Sequence, residues 1–260
     1  MLRPKLILPS DLRLRGCCCG APHTALQAVN VRAFNTDPVE AIDFIRKKLD
    51  VGTSSWTDLW QQQHSVAFSV AGAQSEALVK DFHDAVDKAI AQGETLETFQ
   101  KDFDRIVEDH GWSYNGSRGF RSRVIFDTNV NTAYAAGRWD QIQRVKDQRP
   151  YLRYVHLEGQ KNPRPEHEAW GNYNGTGVIL PVDDEWWLTH YPPNGWFCHC
   201  TVQSLSEDDL QRYGYTVSDA APDSPLVAHL VDGKTVMAPE GIDPGFAYRP
   251  GEQPVVDGGE

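Results

Sequence analysis

The sequence predicts an α+β chain with a helical N-terminal half, a long central helix and a small irregular β-rich C-terminal module. Two observations carry that reading. Apolar residues recur at spacings of three and four from residue 41 to residue 145, the period of helices that bury one face. After Pro150 that period stops, and short apolar runs alternate with clusters of Gly, Pro, Asn and Trp.

The helical elements follow in order. Asp37 is placed to cap a first helix, with Pro38 at its first position and Glu40 suiting the dipole of its first turn. Ala41, Ile42, Phe44, Ile45 and Leu49 supply its apolar stripe. Ser55 or Thr57 is expected to cap a second helix that contains Trp60 and Phe68. A third is expected from Gln74 to Gln92, with Leu78, Phe82, Ala85, Val86 and Ala89 on one side and Gly93 as its stop. Thr95 caps a fourth, built on Leu96, Phe99, Phe103, Ile106 and Val107 and closed by Gly111. A loop at Asn115-Gly116-Ser117 leads to the long helix, expected from Arg118 to Gln148 and ended by Pro150. Val124, Thr128, Ala135, Trp139, Ile142 and Val145 are expected on one side of it. Its centre is polar (Asp127, Thr128, Asn129, Asn131, Thr132), and such residues favour caps and turns over helix interiors.

Beyond Pro150, strands are expected at Tyr151–Leu157, Val178–Leu180 and Thr201–Gln203. Ser206 to Leu210 reads as a short capped helix. The expected domains are a disordered arm (1–36), a helical region (37–115), a domain spanning 116–215, and a loose tail (216–260) with a hairpin at Asp232-Gly233.

Composition narrows the function classes. No apolar run approaches the length of a membrane span, and Leu6-Ile7-Leu8 is too short for a signal-peptide core. The formal net charge of −11 disfavours tight nonspecific DNA binding, which relies on Lys and Arg displacing counterions. A local basic stretch exists at Arg118, Arg121, Arg123, Arg138, Arg144, Lys146 and Arg149, and its ordinary reading is a solvated helix face. The five cysteines, Cys17 to Cys19 with Cys198 and Cys200, do not form a disulfide framework and point to a reducing compartment.

Two constellations stand out. His167, Cys198 and Cys200 are the residue types that hold zinc, with His190 or a carboxylate as a further ligand. In an extended segment Cys198 and Cys200 point the same way and His199 the other. Two buried cysteines packed as small hydrophobes remain the competing reading. A histidine acid–base pair drawn from His156, Glu158, His167 and His190 would serve a nuclease. The deaminase pattern is excluded because Cys198-His199-Cys200 is one residue too tight. The second constellation is aromatic: Trp170, Trp186, Trp187, Tyr191 and Trp196 lie close in sequence around the turn Pro192-Pro193-Asn194-Gly195, as a small core or an interface anchor.

Taken in order, these segments resemble the Mu F-like head morphogenesis proteins of tailed phages. The resemblance runs through Thr128-Asn129 with Asn131 to Arg138 (including Tyr134), Arg149 to Val155, and Arg164 to His167. It continues through Leu180 to Asp184 with Trp186-Trp187, and His190 to Trp196 (including Pro193 and Asn194) with Cys198 and Cys200. It closes at Gly241 to Phe246 and covers roughly residues 38–250. The resemblance implies a minor head protein acting in head morphogenesis and, near the portal, in DNA packaging or ejection, assembled in the host cytoplasm and carried in the virion; it implies no known catalytic activity, and the chain is expected not to be an enzyme. Its implied partners are the portal and other head proteins, with packaged DNA as a further contact and no membrane. It implies zinc-ligand positions at His167, Cys198 and Cys200. Thr128, Asn129, Asn131 and Arg138 are expected to hydrogen-bond the irregular loops onto the helix. The alternative function is a metal-dependent or RNase-like nuclease module.

Overall fold

The computed structural model describes residues 38–158 and 162–252. The expected arm at 1–36, the cap at Asp37 and the last residues of the expected tail lie outside the described residues.

Helix α1 (Val39–Arg46) begins at Pro38, which stands at the cap position itself without a side-chain hydrogen bond. Leu49, expected on its stripe, instead enters strand β1 (Leu49–Asp50) and is largely exposed. The predicted second helix shrinks to α2 (Gln63–Val66), and Phe68 lies in strand β2 (Ala67–Phe68). The reason is a parallel pairing, Leu49 opposite Ala67 and Asp50 opposite Phe68, which draws this stretch out of a helix. Phe68 then stacks on His83 at 4.5 Å.

The next helices match their local signals. Ser75 caps α3 (Glu76–Gln92), and Thr95 caps α4 (Leu96–His110). Gly93 and Gly111 end them in the left-handed conformation that residues with a Cβ resist. Ser117 caps α5 (Arg118–Val145), which is about 42 Å long at ~1.5 Å per residue. Pro150 then opens β3 (Tyr151–Val155). Helix α6 (Pro165–Gly171), a 3-10 turn, β4 (Ile179–Pro181) and α7 (Trp187–His190) follow. After them come β5 (Thr201–Leu205) and α8 (Glu207–Tyr213), the latter held by a reciprocal capping box between Ser206 and Asp209. Strands β6 (Leu226–Val231) and β7 (Lys234–Pro239) form a hairpin whose turn, Asp232-Gly233, has positive φ at both residues.

β3 is the centre of a three-stranded antiparallel sheet in the order β4-β3-β5. Two main cores meet on α5. The first joins α1, α3 and α4 to Ile125 and Ala133. The second joins the sheet and the tryptophan cluster to Ile142, with Ala135 and Trp139 packed against it. The side of α5 expected to be buried is therefore wrong in part. Ser122, Ile125, Asp127, Thr132, Ala133, Ala136 and Gly137 are buried, while Val145 is exposed. One helix covered from different directions at its two ends has no single apolar stripe.

The expected loose tail is also corrected. Ile242, Phe246 and Ala247 belong to the second core, and Tyr248 is buried against the ring of His64. A short strap is ordered here because each of its large side chains removes apolar area from water, worth about 1.5–3 kcal/mol apiece.

Two predictions follow from the packing. A Cβ on Gly137 would lie 2.8 Å from the Ala41 nitrogen and 3.1 Å from the Glu40 carbonyl carbon, so α1 approaches α5 only over a glycine. Gly137→Ala is expected to lower stability by about 1–3 kcal/mol, as overpacking does. In a free helix the same change would raise it by about 0.5–1 kcal/mol, so the sign of the change in urea midpoint decides the matter. The second concerns pH. Burial pushes His64 and His190 each down to about 4 and Lys48 down to about 7. The unfolded chain binds those protons at its ordinary, higher pKa values, so lowering pH favours unfolding. Stability should decline between about 10.5 and 7 through Lys48, and between about 6.5 and 4 through the two imidazoles. Denaturant midpoints measured across this range should fall on the acid side, less so in His190→Gln; a pH-independent midpoint contradicts the assigned burial.

Candidate metal centre

The site forms where four segments converge: the end of β3, the buried face of α6, the turn from Asn194 to Cys200, and the strap from Gly241 to Tyr248. Pro165 opens α6 with its φ already set, and two residues later the helix turns His167 inward. The ring stacks on Trp170 at 5.1 Å and meets Tyr154 edge-on. His167 Nε2 lies 2.8 Å from the Gly241 carbonyl. A carbonyl only accepts, so Nε2 carries the proton and Nδ1 presents a lone pair. That lone pair faces the Cys198 sulfur at 3.7 Å and the Cys200 sulfur at 3.6 Å.

Both cysteines are free. Their electrostatics differ because of their order in the chain of contacts. The neighbouring Cys200 sulfur and burial push the Cys198 thiol well up. The hydrogen bond from Cys198 brings Cys200 down to about 7, assisted by Tyr154, the Leu157 backbone and the Arg164 charge and opposed by burial. Cys200 also lies 3.5 Å from His156 Nδ1.

The strap and turn hold this arrangement. Arg164 pairs with Asp243 at 2.5 Å and donates to the Trp196 carbonyl at 3.1 Å. The Trp196 N–H donates to the same Asp243 carboxylate, and the Asp243 N–H donates to the Asn194 carbonyl. Gly241 has a φ of +84°, and a Cβ there would lie 2.6 Å from the Glu166 Cβ. Only glycine brings that carbonyl onto His167.

The remaining predicted residues fall around this centre. Asn194 is fully buried and accepts from the Tyr154 hydroxyl at 3.0 Å. Pro193 is buried behind a cis Pro192-Pro193 bond. Trp187 is fully buried and donates to the Pro181 carbonyl. Trp196 packs edge-on against Trp56 and Phe246. Asn131 donates to the Cys198 carbonyl at 3.3 Å and so ties α5 to the turn. It is the only one of the four expected loop anchors to make such a bond among the described residues. Asn129 bonds back to Ile125 within its own helix, Thr128 is half-buried, and Arg138 is exposed, as is Tyr134. A helix-interior amide reaches the carbonyl one turn back more readily than a distant loop.

His190 is not brought to the centre: it lies between Trp186, stacked at 4.4 Å, and Trp170. Asp183 pairs with Lys146, and Asp184 accepts from the Trp186 N–H. Of the residues that would serve a nuclease, His156 and His167 both lie against the Cys200 sulfur, at 3.5 and 3.6 Å, while His190 is packed between the two tryptophans. His156 and Gly241 are the contributors that the sequence reading missed. The register of β3 and β5, Val155 opposite Thr201, points to His156 opposite Cys200, but only once the pairing is known.

The family model described as "Phage Mu protein F like protein" matches residues 80–203, from within α3 to within β5. The "Putative capsid assembly protein F" of Escherichia phage Mu is 29% identical, over 84% of this chain and 55% of that protein. The "Mu-like prophage FluMu F protein" of Haemophilus influenzae is 33% identical, over 65% of this chain and 42% of that protein. The chain thus spans about half the length of these relatives. No solved structure matches. The matched stretch runs from α3 through the long helix into the strand module, and over it the chain is similar to the Mu F-like phage proteins.

Proposed function

We propose that this chain is a minor head protein of a tailed phage or prophage. It acts in head morphogenesis by binding other head proteins, the portal among them. It is made in the host cytoplasm, is retained in the virion, and catalyses no reaction. The name of the phage Mu relative, a capsid assembly protein, supports the assembly role.

The structural observation that carries the reading is the hairpin of β6 and β7. Leu226, Ala228 and Leu230 alternate outward along β6, and Met237 pairs with Ala228 across the turn. Leu226, Leu230 and Met237 are all more than half exposed. An apolar strand face left in water suits a surface that another protein covers. Its tip is fixed, since Thr57 Oγ1 donates to Asp232 at 2.8 Å. The face is thus presented on a moored element.

Contact with packaged DNA is the weaker reading. Arg118 is held by Asp104, Arg123 by Asp127, Arg144 by Glu40, Lys146 by Asp183 and Arg149 by Asp209. Arg121 donates to the Ala71 carbonyl. Cations already neutralised by the protein release fewer counterions from a nucleic acid.

The hairpin can be tested in the phage or prophage that encodes the chain. The double substitution Leu226→Asp with Leu230→Asp changes exposed positions and should leave thermal unfolding unaltered. The variant should be lost at least roughly tenfold from purified heads, as expected where an apolar interface anchor is replaced by charge. Wild-type incorporation of the folded variant would remove the hairpin as the assembly surface. Absence of the unaltered chain from heads would overturn the reading altogether.

A further inference from the structure

We propose that His167, Cys198, Cys200 and His156 form a tetrahedral structural zinc site, with the Gly241 carbonyl orienting His167 from outside it. Zinc holds thiolate sulfur at about 2.3 Å and imidazole nitrogen at about 2.0–2.1 Å, so the sulfur-to-nitrogen edge of a tetrahedron is about 3.6 Å. Three of the four such separations in the structure match it, at 3.7, 3.6 and 3.5 Å. The donor atoms of His167, Cys198 and Cys200 also lie within 4.8 Å of one another.

Thiol hydrogen bonds alone explain this arrangement poorly. Nδ1 of a neutral imidazole has one lone pair, and here two sulfurs converge on it. One of those sulfurs lies against a second imidazole as well. A cation between His167, Cys198 and Cys200 satisfies their lone pairs together. Two thiolates balance its charge, which permits a buried site. Two sulfurs with two nitrogens select zinc over the oxygen-seeking cations.

The surroundings are those of a metal-binding histidine. His167 gives its other N–H to a backbone carbonyl, which fixes both tautomer and ring orientation. The register that pairs Val155 with Thr201 sets His156 opposite Cys200 at the end of the ladder. His156, His167, Cys198 and Cys200 line one cleft together with Arg164 and Phe197. His156 meets Cys200 alone, so it is the ligand that must move to close the tetrahedron. The ion would join β3, α6 and the turn before β5. Its role is to hold the fold, and the assignment stands apart from the head-assembly reading because purified protein tests it.

The experiment uses the full chain with Cys17, Cys18 and Cys19 each changed to Ser, so that only Cys198 and Cys200 remain. The protein is reduced, stripped with chelator and titrated with Zn2+, and in parallel with Co2+. The expected result is about one metal per chain, with the intense visible absorption and sulfur charge-transfer bands of a tetrahedral cobalt site. Chelation should lower the unfolding temperature. Cys198→Ser should abolish binding. Because that variant can fail to fold, His156→Ala, at the strand end, supplies the second reading. It should stay folded and bind zinc roughly 10- to 100-fold more weakly, with a cobalt spectrum that no longer reports four protein ligands. Folded protein that takes up no stoichiometric metal while both thiols titrate freely would overturn the site. An unchanged affinity in His156→Ala would overturn the fourth ligand.

Discussion

The C-terminal module depends on how the strap from Gly241 to Tyr248 is laid across it. Gly241 accepts from His167, Asp243 takes both Arg164 and the Trp196 N–H, and Phe246 meets Trp196 edge-on at 4.9 Å. Just beyond, Tyr248 lies over His64, and Arg249 sits 4.0 Å above the Trp139 ring on α5. A few consecutive residues thus touch α6, the turn before β5, α5 and α2. Magnitudes rank these contacts. The Arg164–Asp243 pair is partly open to water, which limits a pair of this kind to about 1 kcal/mol. Burial of Ile242, Phe246 and Tyr248, at about 1.5–3 kcal/mol each, outweighs it. The polar contacts set position, and the apolar ones supply most of the stability.

The strap can act in this way because α5 carries both large cores. Its first half completes the helical core, and its second half backs the sheet. The polar residues between are where the covered side changes. Asp127 pairs with Arg123 one turn earlier, Asn129 caps its own helix carbonyl, and Asn131 reaches the Cys198 carbonyl. Each buried polar group thereby avoids the roughly 1–3 kcal/mol cost of an unmet partner. Tyr191 adds a second tie, its hydroxyl donating to the Ala135 carbonyl. The centre of α5 is the joint on which the turn bearing the cysteines is mounted.

What could be read in the sequence was local. Ser75, Thr95, Ser117 and Ser206 each cap a helix within three residues of themselves, so their signals are complete in the chain. The Asp232-Gly233 turn is equally self-contained. The failures are nonlocal. The stretch holding Trp60 and Phe68 has apolar residues suited to a helix, but a pairing with β1 decides its form. The strap is rich in Gly and Pro and reads as loose because its partners lie far back in the chain. In the candidate site, His167, Cys198 and Cys200 were legible from residue type. His156 was hidden behind a strand register, and Gly241 contributes a carbonyl, which no side-chain pattern reveals.

Removing the strap tests this account most directly. A chain ended after Glu240, compared with the full chain by thermal unfolding and tryptophan emission, isolates its contribution. The account predicts a lower unfolding temperature, and emission shifted to the red as Trp196 and Trp139 lose their cover from Phe246 and Arg249. A truncated chain that unfolds at the same temperature with unchanged emission would contradict it, and would return residues beyond 240 to the role of a tail.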